Sequence, residues 1–236
     1  MSKFFYILLI LLSPFFFSAE VSAQMQAAHW VFGSKGHISF PFGYDSVNTN
    51  YRGSLINTSN IPSSNFEGSA SISDVNGNLK LYTNGVDVYN GDHIKLNEER
   101  LKGNFTVSQS SIFVPVPGKY NQYILFTINA HNLIAPRNDV SVGFDFGLYY
   151  YTIDLNKNNG RGKLNIPQNN RLLKRTAEKI AAVYHQNGKD IWVITYFENQ
   201  FYAYLVTENG IEAPVISQVP YFSSVLGYAA NSKGQL

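Results

Sequence analysis

The sequence predicts an all-β fold: about three small antiparallel sheets arranged as blades of an incomplete β-propeller. Three observations lead there. Short runs of β-branched and aromatic residues recur along the chain, Asn-Gly pairs punctuate them, and one strand–turn–strand–loop–strand unit occurs twice. One small antiparallel sheet cannot bury both of its faces, whereas successive copies stacked radially can. A β-sandwich also has many short strands, but it does not require a recurring three-strand unit.

The Asn-Gly pairs are Asn76-Gly77, Asn84-Gly85, Asn90-Gly91, Asn159-Gly160, Asn187-Gly188 and Asn209-Gly210. Both residue types tolerate positive φ, which the tight type I′ hairpin turn demands. The runs between them are expected to be strands at 79–83, 86–89, 112–116, 123–128, 148–155, 180–185, 191–196, 201–206 and 215–219. The first copy of the unit pairs 112–116 with 123–127 across Pro117-Gly118, and the second pairs 181–185 with 191–195 across Asn187-Gly188. Each continues into a Tyr-rich strand, Leu148-Tyr149-Tyr150-Tyr151 or Phe201-Tyr202-Ala203-Tyr204. Residues 131–146 are extra in the first copy and read as a long surface loop. Residues 171–182 hold good helix formers without a 3.6-residue apolar period, so a loop or short helical turn leading into a strand is expected there.

Composition narrows the class. The 236 residues carry a net charge of +2, with 14% charged and 15% aromatic residues, 18 Gly and 25 Asn. Many aromatics and low net charge oppose disorder, and a charge near zero lacks the footprint of a nucleic-acid binder. With no cysteine, a disulfide scaffold, a thiolate metal site and a cysteine nucleophile are excluded.

The first 23 residues read as an export signal. Lys3 precedes an almost unbroken apolar run at 4–17, and Val21-Ser22-Ala23 offers small residues where a signal peptidase cuts. The run is about 14 residues, short of the roughly 20 needed to span hydrocarbon, and Pro14 interrupts it. Cleavage after Ala23 is expected to leave 24–236 as an exported β domain with no transmembrane span, in the periplasm, on the outer surface or outside the cell.

Several separated stretches resemble one family in order. Ala70-Ser71-Ile72-Ser73-Asp74-Val75-Asn76-Gly77-Asn78-Leu79-Lys80-Leu81-Tyr82-Thr83 is similar to the first blade of the amino-terminal β-propeller regions of secreted proteins that carry a gliding-motility-associated or type IX secretion sorting domain. Ser110-Ser111-Ile112-Phe113-Val114, Lys179-Ile180-Ala181-Ala182-Val183-Tyr184 and Asp190-Ile191-Trp192-Val193-Ile194-Thr195 resemble its later hairpins. The likeness covers about 30–236 and implies a propeller fold, with no defined activity. The family continues into further blades and a sorting domain, which are not found here. The segment Gly227-Tyr228-Ala229-Ala230, Asn231-Ser232-Lys233-Gly234, Gln235-Leu236 reads as a strand, a turn and the start of its partner, so a truncated or split propeller is expected.

Motifs for chemistry are sparse. Asp74-Val75-Asn76-Gly77-Asn78 hints at a calcium loop, but Gly85 stands where the bidentate Glu belongs, and a hairpin turn is favoured. His29, His37, His93, His131 and His185 are scattered, and Gly160-Arg161-Gly162-Lys163 lacks phosphate-loop spacing. No catalytic, cofactor or metal residues are assigned. Arg171, Lys174, Arg175 and Lys179 read as a solvated basic face. Tyr149, Tyr151, Tyr202 and Tyr204 are the candidates for a surface that stacks on a polysaccharide or a cell-envelope protein; the competing reading has them filling space between sheets. The expectation is an exported, non-enzymatic binding or scaffold module, the alternatives being a glycan-active propeller enzyme or a non-functional gene fragment.

Overall fold

The computed structural model describes residues 26–33, 36–40, 67–129, 146–197 and 199–219, together with the backbone of 54–55. The expected signal segment at 1–23, most of the 131–146 insertion and residues 220–236 lie outside the described residues. Among those described, the chain is all-β and forms four antiparallel sheets, none of them closed into a barrel.

The first sheet runs β1 (His29–Phe32), β2 (Gly36–Ser39), β3 (Ser54–Leu55), and the second β4 (Ala70–Ser73), β5 (Leu79–Thr83), β6 (Val88–Asn90). The third is a meander of β7 (Ser111–Pro115), β8 (Gln122–Asn129) and β9 (Gly147–Asp154). Beyond it, β10 (Lys163–Asn165) and β11 (Arg171–Leu173) share the outer edge of β9. The fourth repeats this plan: β12 (Ile180–Tyr184), β13 (Ile191–Phe197), β14 (Gln200–Thr207), then β15 (Gly210–Ile211) and β16 (Val215–Gln218) on the edge of β14. The first strand of each sheet touches the first strand of the next, β1 to β4, β4 to β7 and β7 to β12.

The repeat extends to single hydroxyls. Thr83, Thr127 and Thr195 each lie opposite the opening residue of their sheet's first strand, namely Ala70, Ser111 and Ile180. All three are fully buried, and each hydroxyl donates to a backbone carbonyl, that of Asp87, Lys102 or Lys179, at 2.6–2.7 Å. Each satisfies a carbonyl that its own ladder does not reach.

Packing explains the unbroken apolar run of β8. Tyr123 and Leu125 face the second sheet, in a core with Ile72, Leu81, Val88 and Tyr151. Ile124, Phe126 and Ile128 face the fourth, against Ile180, Val193 and Tyr204. A strand covered on both faces loses polar alternation. Leu125 and Phe126, both fully buried, contribute roughly 1.5–3 kcal/mol each.

Several sequence expectations need correction. Four sheets replace the expected three or so, because the His29–Ser39 hairpin forms a further one. Segment 171–182 is strand β11, a bend and strand β12, with no helical turn; Leu172 and Leu173 pack against the fourth sheet's core instead. The Asn-Gly pairs mark turns and bends, but the tight type I′ hairpin is not what they form: both φ are positive only at Asn159-Gly160, which lies inside the longer β9–β10 connection. At two of the others the Asn side chain itself closes the turn. Asn84 Oδ1 accepts from the N–H groups of Val86 and Asp87, and Asn187 Oδ1 from those of Lys189 and Asp190.

Candidate binding cleft

The first strands of three sheets enclose a cleft of about 460 Å³ lined by Trp30, Phe32, Ser69, Ser71, Ile112 and neighbouring residues. Strand periodicity places Trp30 and Phe32 on one face of β1, with His29 and Val31 on the other. Val31 is buried against Tyr82 and Tyr89, which orients Trp30 and Phe32 outward. They are 53% and 43% exposed. Phe40 meets the indole edge-on at 5.2 Å between centroids, leaving an aromatic platform held from one side.

Two serines join the sheets below it. Ser69 Oγ donates to the Val31 carbonyl at 2.7 Å, and Ser71 Oγ to the His29 carbonyl at 2.6 Å. They occupy acceptors on the free edge of β1 that would otherwise face the cleft. With both hydroxyls donating to backbone, the cleft offers aromatic and aliphatic surface at its centre.

Behind the platform lies a histidine group. His29 Nδ1 and His37 Nε2 are 2.8 Å apart, and His93 Nδ1 is 3.0 Å from the Tyr82 hydroxyl. His37 is 3% exposed and its Nδ1 is unpartnered. Burial, with smaller contributions from His29 and His93, pushes its pKa down to about 4. His29 is also lowered by burial, partly offset by a hydrogen bond to the Gly77 backbone. The sequence read these histidines as scattered, and the β1–β2 hairpin brings them together. Among the described residues, no group of three or more His, Asp or Glu side chains is placed to hold a metal ion.

Of the two readings of the tyrosines, a stacking surface and filling between sheets, burial favours the second. Tyr149, Tyr151 and Tyr204 are buried, at 4%, 1% and 2% exposure. Tyr149 and Tyr151 lie in the core between the second and third sheets, and Tyr204 in that between the third and fourth. Their polar ends serve the backbone: the Lys102 N–H donates to the Tyr151 hydroxyl, and the Tyr204 hydroxyl donates to the Leu172 carbonyl. Burial pushes the Tyr204 phenol up to about 12. Tyr202 is half-buried against the same core and donates to Gln200 Oε1 at 2.6 Å. The reason is that the tyrosine-bearing faces of β9 and β14 meet neighbouring sheets.

Compared with known proteins, the chain matches no family model, no curated protein and no solved structure.

Other sequence candidates resolve into local structure. Asp74 Oδ1 accepts from the Asn76 and Asn78 N–H groups, and its Oδ2 pairs with Lys80 at 3.3 Å, so the calcium-like segment is a closed turn. Gly160 and Arg161 lie in the β9–β10 connection, which contains a 3-10 turn at Asn158–Gly160. A second, wider hollow there is lined by Ile94, Lys95, Leu96, Asn158, Asn159, Arg161 and Gly162. Asn158 Nδ2 donates to the Gly162 carbonyl and Lys95 pairs with Asp87 at 2.7 Å, so these two groups are committed locally. Arg171 lies over the Tyr149 ring, while Lys174 and Arg175 are exposed. Trp30 and Phe32 were missed because their site is built from three sheets. The one available signal was the alternation His29-Trp30-Val31-Phe32.

Proposed function

We propose that the chain is an exported, non-enzymatic binding module whose sheets are consecutive blades of a propeller-like arc and whose cleft binds a polysaccharide by aromatic stacking. The propeller-like reading rests on the succession of first strands, β1 to β4 to β7 to β12, and on the shared threonine register. Export rests on the 1–23 signal pattern. The resemblance to secreted sorting-domain propellers is in keeping with both.

The exposed Trp30–Phe32 platform carries the binding assignment. Large exposed aromatics beside a concavity cost solvation, and a flat apolar sugar face relieves it while its hydroxyls stay in water. A cell-envelope protein offering an aromatic or aliphatic side chain is the other partner class that fits.

The test is affinity electrophoresis and titration of the secreted protein against a panel of neutral and acidic polysaccharides. Binding is expected, with Trp30→Ala weakening it about tenfold, the equivalent of about 1.4 kcal/mol. Undiminished binding by W30A would remove the cleft from consideration, and binding to no polysaccharide would remove the ligand class. Amino-terminal sequencing of the exported protein should begin at Gln24.

A further inference from the structure

The strand that carries the aromatic platform is held from behind by a histidine pair with no place for a further proton. His37 lies opposite Val31 in the β1–β2 ladder, on the same face as His29, and its Nε2 is 2.8 Å from His29 Nδ1. His29 also hydrogen-bonds the Gly77 backbone, a contact that favours its protonated form. Its own hydrogen therefore sits on the nitrogen away from His37, and His37 donates across the pair. That leaves His37 Nδ1 bare, buried and unpartnered. A proton added to His29 Nδ1 meets the His37 N–H head-on, and one added to His37 Nδ1 finds no acceptor.

The surroundings offer no compensation. Tyr82 of β5 and Tyr89 of β6 pack with Val31 on this face of β1, and burial keeps both phenols neutral in acid. His93, from the turn after β6, is bonded to the Tyr82 hydroxyl and adds positive charge. Asp74, in the β4–β5 turn, is engaged by Asn76, Asn78 and Lys80, and Asp87, just before β6, by Lys95. Asp92, beside His93, is exposed. Among the described residues, no carboxylate bonds to any of the three histidines.

We propose that the His29–His37 pair is an acid-sensitive latch on the cleft. Neutral, it holds the β1–β2 hairpin with Trp30 and Phe32 outward; protonated, its rings separate, Val31 leaves its seat on Tyr82 and Tyr89, and the platform disperses. Burial sets the range. His37 titrates near 4 in the closed hairpin and near 6.5 when free, so the closed form is complete above about pH 6.5 and is lost as pH falls through about 4. The ties from Ser69 and Ser71 to β1 contain no titrating group, so they oppose opening without adding to its pH dependence. Loss of ligand in acid rests on the polysaccharide-binding reading; movement of Trp30 does not.

The protein has two tryptophans, so Trp192→Phe leaves Trp30 as the single indole reporter, read without any ligand. Its emission is expected to shift to the red as pH falls from 7 to 4, with a midpoint between about 6.5 and 4, while amide exchange in β8 stays slow. His37→Gln should abolish the shift, and His29→Gln, which keeps the falsification open if H37Q does not fold, should move it to lower pH. Emission that stays constant, or that shifts alike in both variants, overturns the latch. So does β8 exchange that rises with the same midpoint, because the whole domain is then unfolding. In the second arm, affinity for a neutral polysaccharide bound at pH 7, which does not itself titrate, should fall about tenfold by pH 4.5 and hold in H37Q. Acid-independent binding beside a shifting Trp30 overturns the gating of the cleft, whereas binding to no polysaccharide at pH 7 removes the ligand class and leaves Trp30 emission to decide the latch.

Discussion

Among single residues, His37 links stability to pH. Free histidine titrates near 6.5, and in the fold its pKa is pushed down to about 4 by burial, with His29 and His93 adding to the effect. The folded value lies below the unfolded one, so the unfolded chain takes the proton first. Stability from this group is therefore complete above about pH 6.5 and falls as pH drops from there through about 4. With His37 neutral, its Nε2–H can donate to His29 Nδ1, which leaves its own Nδ1 a bare, buried acceptor; protonation adds an N–H with nowhere to donate. The expected loss between pH 7 and 4 is on the order of 2 kcal/mol. Urea unfolding at both pH values should show a smaller drop in His37→Gln, and an equal drop would place the acid sensitivity elsewhere. None of this was legible beforehand. His29 and His37 are eight residues apart across a hairpin whose short strands lacked a strong apolar signal, and His93 arrives from another sheet.

Between elements, specific polar ties join neighbouring sheets alongside their shared apolar cores. Glu178, 3% exposed, accepts from both the N–H and the hydroxyl of Ser108, and Gln109 Oε1 accepts from the Ile180 N–H at 3.1 Å. Glu178→Ala removes two hydrogen bonds that the buried carboxylate makes across the sheets, and a loss of about 1–3 kcal/mol is expected by equilibrium unfolding. A change within ±0.5 kcal/mol would mean that solvent replaces the carboxylate. Glycines separate turn strain from close packing. A Cβ at Gly188 (φ 67) meets nothing within 4 Å, whereas one at Gly147 (φ 133) would lie 1.9 Å from the Leu173 carbonyl oxygen of β11. Gly188→Ala should therefore cost about 1 kcal/mol. Gly147→Ala should cost clearly more and raise amide exchange in 171–173, the strand it displaces. Strand existence was readable wherever β-branched and aromatic residues clustered, so β5, β7, β8, β9 and β12–β14 fall within a residue or two of expectation. Strands β10 and β11 were not, because Lys163–Asn165 and Arg171–Leu173, three residues each, are too short to stand apart from loop sequence.

For the whole molecule, the all-β class and the doubled unit were legible because hairpin meanders leave local marks. Which face of a strand meets a neighbour was not, since period-2 alternation assigns residues to faces without saying what covers either one. That gap misdirected attention to Tyr149, Tyr151, Tyr202 and Tyr204 and away from Trp30. The third sheet is covered on both sides, by the second and fourth, and a core substitution there is expected to be felt in both interfaces.

The paired short strands at the periphery have a further consequence. On β9, β10 takes Thr152 to Asp154 while β11 takes Leu148 and Tyr149; on β14, β15 takes Val206 and Thr207 while β16 takes Gln200 to Ala203. A long strand at the rim would template lateral recruitment of a foreign strand. Here the rim is divided into segments of four residues or fewer, too short to seed fibrillar growth. Lateral recruitment along the outer edges of these two sheets is thereby disfavoured.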